Sequence, residues 1–221
     1  PKCSPATVGV TGPKQARILD AILTVNRSQR NLNVLPQRVD TAASEWREEG
    51  PLEFFVDFET VSNLDDDFTK IPEKGGQPLI FMIGCGHTED GEWIWKVFTA
   101  DSLTESCETE IIDSWFRHME GVKQRIATNS YEPLVFHWSP AEQSTFEKAF
   151  NSARERHAEK SWPTLNWFDF LNRVIQEEPV VVRGAFGFGL KALAVAMHNH
   201  GLIDTKWDIG PTDGLGAMVG A

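Results

Sequence analysis

The segment LEFFVDFETV, residues 52–61, constrains this chain more than any other. Apolar residues crowd it, and Gly50-Pro51 breaks the chain just before it, so it reads as a buried strand. Asp57 and Glu59 stand inside it. Residues two apart on a strand point to the same face, so the two carboxylates project together while Phe54, Val56 and Phe58 share the other side. Two like charges side by side in a part-buried site are unfavourable unless a cation lies between them. Carboxylate oxygens suit hard Mg²⁺ or Mn²⁺. Solvated acids at a strand end are the plainer alternative, and spacing alone leaves both open.

The rest of the chain frames that strand. Residues 1–50 read as a helical lead-in, with Ile18, Leu19, Ile22 and Leu23 on one helix face, and residues 51–221 as the main domain. After the strand come two more apolar runs, LIFMIGCGH and WIWKVFTA, joined by the turn-like TEDGE. Three runs joined by loops predict an antiparallel meander. A helix over 104 to about 126 follows, with Ile111, Ile112, Trp115, Phe116 and Met119 on one face, and then a fourth strand, PLVFHW. SPAEQSTFEKAFNSARERH opens a helix, with Ser139 as its cap and Pro140 in first position. NWFDF reads as a short fifth strand leading into a helix through Leu171, Val174 and Ile175. The last helix, in GFGLKALAVAMHNHG, presents Leu190, Leu193, Ala194 and Met197 and stops at Gly201. The order predicts an α/β fold, a mixed sheet with helices on its faces.

Composition narrows the function classes. A net charge of −11 argues against a passive nucleic-acid coat, yet it accords with an acidic cleft whose metal ions supply local positive charge. No apolar run is long enough to cross a bilayer as a helix. Cys3, Cys85 and Cys107 are few, odd in number and far apart, which suits a reducing, cytoplasmic compartment rather than a disulfide framework. The histidines show no zinc spacing, and RGAFGFG lacks the Gly-Lys-Ser/Thr of a phosphate-binding loop. Trp93 and Trp95 alternate on the third strand, as an aromatic face for core packing, for a partner or for stacking bases.

Taken together, FVDFET, LIFMIGCG, VFHWSPAEQSTF, WFDFLNRV and GFGLKALA resemble the ribonuclease H-like DEDD 3′–5′ exonuclease superfamily. The resemblance is closest to an uncharacterised bacterial and phage branch, often joined to a RecB-like nuclease region, and covers about 160 residues. It implies a ribonuclease H-like mixed sheet, three antiparallel strands plus parallel ones. It also implies two-metal hydrolysis of single-stranded DNA or RNA ends with Mg²⁺ or Mn²⁺. The first motif falls on Asp57 and Glu59. In the second, Glu142 stands where the family has Asp, and His137 where it has Asn. Glu142 alone is an ordinary acid in a helix's first turn. By the resemblance, Asp57, Glu59 and Glu142 hold the ions; His137 either orients a phosphate or water or is a satisfied structural residue at a strand end. Lys191 matches a recurrent segment and serves as a structural or phosphate-backbone contact, and Asp169 is a secondary candidate that in the family caps a helix. The last carboxylate is expected beyond Ala221. Further expectations are a fused or partner nuclease or helicase domain and a bacterial or phage origin. The rival expectation is a non-catalytic module of the same fold that binds nucleic acid or a partner nuclease. A hydrolase of small phosphate esters is a third.

Overall fold

The computed structural model describes residues 9–27, 32–40, 43–61, 79–127, 130–138 and 143–206, with Val61 and 143–148 as backbone only. The apolar segment forms strand β2 (Glu53–Val61). Around it lie β3 (Leu79–Glu89), β4 (Glu92–Thr99), β5 (Leu134–His137) and β6 (Asn166–Asp169), in a five-stranded sheet of order β4-β3-β2-β5-β6. β2 and β3 pair antiparallel, as do β3 and β4, while β5 runs parallel to β2 on its other side. The expected meander is therefore present, inside a mixed sheet. Its second turn is tight: Asp90 and Gly91 both have positive φ, at 53° and 81°, the geometry of a type I′ hairpin that Asp-Gly favours.

Helices α2 (Glu105–Ile126) and α3 (Gln143–Arg156) pack on one face of this sheet. Thr104 caps α2, its side chain accepting a hydrogen bond from the Cys107 N–H. Of the expected α2 stripe, Ile111, Ile112, Trp115 and Met119 are buried, against Phe54 and Val56 of β2 and Ile83 and Cys85 of β3, and Phe116 is partly buried beside them. β3 does not alternate simply. Glu59 pairs with Met82 but Thr60 pairs with Ile80, so Phe81 is an extra residue. Such a bulge reverses the parity of a strand, which is why Ile80 joins Ile83 and Cys85 in the same core.

The described chain divides into two compact units, one of residues 47–168 and one of 9–46 with 169–206. In the second, α1 (Pro13–Arg27) buries Ile22 and Val25 with Val181. Val181 belongs to β7 (Val181–Val182), which pairs antiparallel with β1 (Val34–Leu35). The helix expected after NWFDF is only a single turn, Leu171–Ile175. Pro179 lies just downstream and disfavours helix in the residue before it. α4 (Leu190–Asn199) buries Leu193 and Ala196, not the expected four-residue stripe; Leu190 is 44% exposed. Gly201, at φ 65°, ends it as expected, with Leu202 N–H bonded to Met197 O and Gly201 N–H to His198 O. No helix among the described residues is long and apolar enough to cross a membrane.

Candidate functional site

β2 turns its two faces to different surroundings. Phe54 and Val56 are buried in the core, whereas Asp57 is exposed and Glu59 half-buried on the opposite face. The strand is thus covered on one side, and the acids project from the other, as their spacing requires. Asp57 pairs with Gly84 of β3, and Glu59 with Met82, beside the bulge.

The two carboxylates differ electrostatically. Asp57 keeps one side open to solvent, but protein on its other sides raises its pKa above the ordinary 3.8, partly offset by a hydrogen bond to the Phe58 backbone. The Glu59 pKa is also raised, first by burial and then by the charge on Asp57. Glu59 therefore loses its proton against a charge already present. This is the like-charge conflict anticipated from the sequence, and a divalent cation would relieve it.

An aromatic surface flanks the pair. Phe55 stacks on Phe136 of β5 with ring centroids 5.1 Å apart, and its ring lies 5.4 Å from that of Trp93. Trp93 and Trp95 stack 6.4 Å apart. Both indoles lie down on the sheet because β3 offers glycines beneath them. A Cβ on Gly84 would come within 2.3 Å of Trp95 Cζ2, and one on Gly86 within 2.3 Å of Trp93 Cζ2. Trp93 and Trp95 remain 55% and 49% exposed. The matched G-x-G and W-x-W spacings of β3 and β4 signal this arrangement in the sequence, but only once the strand register is known.

Glu142 lies outside the described residues. His137 ends β5, is buried, and sets its ring edge-on to Trp167 at 5.7 Å. Its neighbour Phe136 shares the face of Phe55, so His137 is on the core face, opposite to Asp57 and Glu59. Asp169 ends β6 and caps the following turn, accepting from the Asn172 backbone N–H at 3.0 Å and from Asn172 Nδ2 at 2.7 Å. Lys191, in the first turn of α4, lines a depression of about 740 Å³ with Arg183 and His200. The structure thus brings Asp57 and Glu59 together. Among the described residues, no group of three His, Cys, Asp or Glu side chains converges as metal ligands.

No protein-family model matches the chain, and no curated protein matches it either.

Proposed function

We propose that this chain is a divalent-metal-dependent 3′–5′ exonuclease on a ribonuclease H-like fold, acting on single-stranded DNA or RNA ends. The observation that carries the reading is the paired carboxylates, Asp57 and Glu59, on one face of the central strand, each with a raised pKa. Two adjacent acids that resist ionising together are a donor set suited to a hard divalent ion. The meander with β5 running parallel beside β2 supports the fold that the sequence resemblance implies.

Asp57 and Glu59 would hold the ion, with Glu142 as the third carboxylate that the resemblance supplies. Bound there, a divalent ion lowers the pKa of water and offsets charge developing on phosphate oxygens. The chain's own residues add two things. Their raised pKa values mean that each carboxyl holds its proton to higher pH than usual, so protons compete with an ion for the pair as pH falls. The exposed Phe55–Trp93–Trp95 surface supplies flat apolar faces on which unpaired bases can stack, worth about 1–3 kcal/mol per base.

The test is degradation of 5′-end-labelled single-stranded DNA and RNA with Mg²⁺ or Mn²⁺, beside the Asp57→Ala variant. A ladder shortening from the 3′ end, lost in the variant and in chelator, is the expected result. Tight metal-independent binding without cleavage would instead mark a recognition module.

A further inference from the structure

β4 is the outer strand of the sheet, and among the described residues no strand lies on its far side. An open edge of eight residues without proline is a template for pairing with another strand. The hairpin shows which of its groups are free. It closes on the pair Glu89 and Glu92 across a two-residue turn. Glu92, Ile94, Lys96 and Phe98 therefore direct their backbone groups to β3, while Trp93, Trp95 and Val97 direct theirs outward.

We propose that two copies of this chain pair through β4, antiparallel about a two-fold axis at Ile94, to make one continuous sheet. The register follows from side-chain parity and charge. A two-fold axis perpendicular to the sheet keeps each face with itself, so directly opposed residues must be both odd-numbered or both even-numbered. Centring on Lys96 sets lysine against lysine. Centring on Trp95 sets Glu92 against Phe98 and Lys96 against Ile94. Centring on Ile94 sets each Glu92 opposite the other copy's lysine at 96, and each Trp93 opposite the other copy's tryptophan at 95. It also makes the outward-directed residues 93 and 95 the hydrogen-bonded pairs.

The charges at this edge are available for such pairing. Glu89, the cross-strand neighbour of Glu92, is occupied by Arg125 through two contacts of 2.9 Å. Among the described residues Glu92 has no ion-pair partner. Lys96 Nζ lies 5.1 Å above the Phe98 ring, and among the described residues it forms no ion pair. Both indole pairs would then lie on one face of the continuous sheet, one on each side of the axis.

The test is sedimentation equilibrium of the full chain over a range of concentrations, at about 0.15 M salt, where the Debye length of about 8 Å screens net charge. The wild type is expected to reach twice the chain mass. Glu92→Lys and Lys96→Glu should each weaken the dimer about tenfold or more, because each turns two attractive cross-strand pairs into two repulsive ones. The doubly exchanged variant, and an equimolar mixture of the two single variants, should recover it. As a second readout, Ile94→Cys, made in a chain with Cys3→Ser and Cys107→Ser, sits on the axis at a closely spaced, non-hydrogen-bonded pair and should cross-link to its own copy on oxidation, where the same chain with Ile94 retained does not. This readout does not depend on how well the charge variants fold. A wild type that stays monomeric throughout, a dimer indifferent to both reversals, or an Ile94→Cys chain that does not cross-link would overturn the proposal.

Discussion

Replacing Glu108 with Ala tests the packing beneath the acidic face. Glu108 lies on the buried stripe of α2, and its side chain is fully enclosed. Its Oε1 accepts from the Ile80 N–H and from Arg156 Nη2, both at 2.7 Å. Its Oε2 accepts from Arg156 Nε at 3.1 Å and from His157 Nε2 at 2.9 Å. Ile80 is the β3 residue opposite Thr60, immediately past the bulge beside Glu59. One carboxylate thus ties α2, the end of α3 and the start of β3 together. Truncation strips the Arg156 guanidinium, the His157 ring and the Ile80 N–H of their shared acceptor. Breaking a buried charged pair in this way costs about 3–5 kcal/mol. For a chain of this length each kcal/mol lowers Tm by roughly 2–4 °C, so the midpoint should fall by roughly 6–20 °C. Urea unfolding followed by tryptophan emission, with Trp115 buried in the same core, measures the loss directly. Replacing Glu108, Arg156 and His157 together by Leu should destabilise less than Glu108→Ala alone, because no buried charge is left uncompensated. A loss below about 1 kcal/mol for Glu108→Ala, the value of an exposed pair, would refute the reasoning.

Three further outcomes follow from the same structure. Gly86→Ala should displace the Trp93 ring, since its Cβ would meet Cζ2 at 2.3 Å; a destabilisation of about 1–3 kcal/mol with a shifted tryptophan emission is expected, and an unchanged denaturation midpoint would contradict it. His118 is pushed down to about 4, first by burial and then by the positive charges of Lys96, His87 and Arg125. Its folded state then binds fewer protons than its unfolded state, so its contribution to stability is present above pH 6.5 and is lost as pH falls towards 4. His118→Phe should flatten that part of the pH–stability curve, and a curve as steep as that of the wild type would contradict the assignment. Asp57 has the opposite sign: its raised pKa means that the folded chain holds this proton more tightly, so stability falls as pH rises through the window just above 3.8. Asp57→Asn should therefore raise the melting temperature at neutral pH in chelator, and a lowered one would show that the charge is well accommodated.

Much of the sheet was legible because period-two alternation and turn chemistry are local. The split of β2 into a core face of Phe54 and Val56 and an outer face of Asp57 and Glu59 needed only residue spacing. The α2 stripe was legible for the same reason at helical spacing. Phe81 was not, because a bulge is set by cross-strand pairing and leaves no local mark in LIFMIGCGH. Glu108 carried a signal that periodicity alone discounts: it stands three and four residues before Ile111 and Ile112, on the buried stripe, where an acid requires a buried cation. Its partners Arg156 and His157 lie at the far end of α3, too distant in sequence to suggest the pairing. The α4 stripe turned out one step round from expectation, with Ala196 buried and Leu190 outside, because its partner surface includes the short strand at Val181 rather than a broad core. His137 carried two readings, a site residue from its place in a motif and a satisfied structural residue at a strand end, and strand parity puts it on the core face, in line with the second.

The central claim is that Asp57 and Glu59 hold a divalent ion. Its most direct test is a Mn²⁺ binding isotherm, read from the spin resonance of the free ion, for the wild type, Asp57→Asn and Glu59→Gln. The wild type should bind saturably at neutral pH and lose affinity as protons compete at lower pH. Each variant should bind at least tenfold more weakly, since even the outer partners of metal ligands account for about 10–100-fold. Equal binding by all three chains, or none by the wild type, would contradict the account.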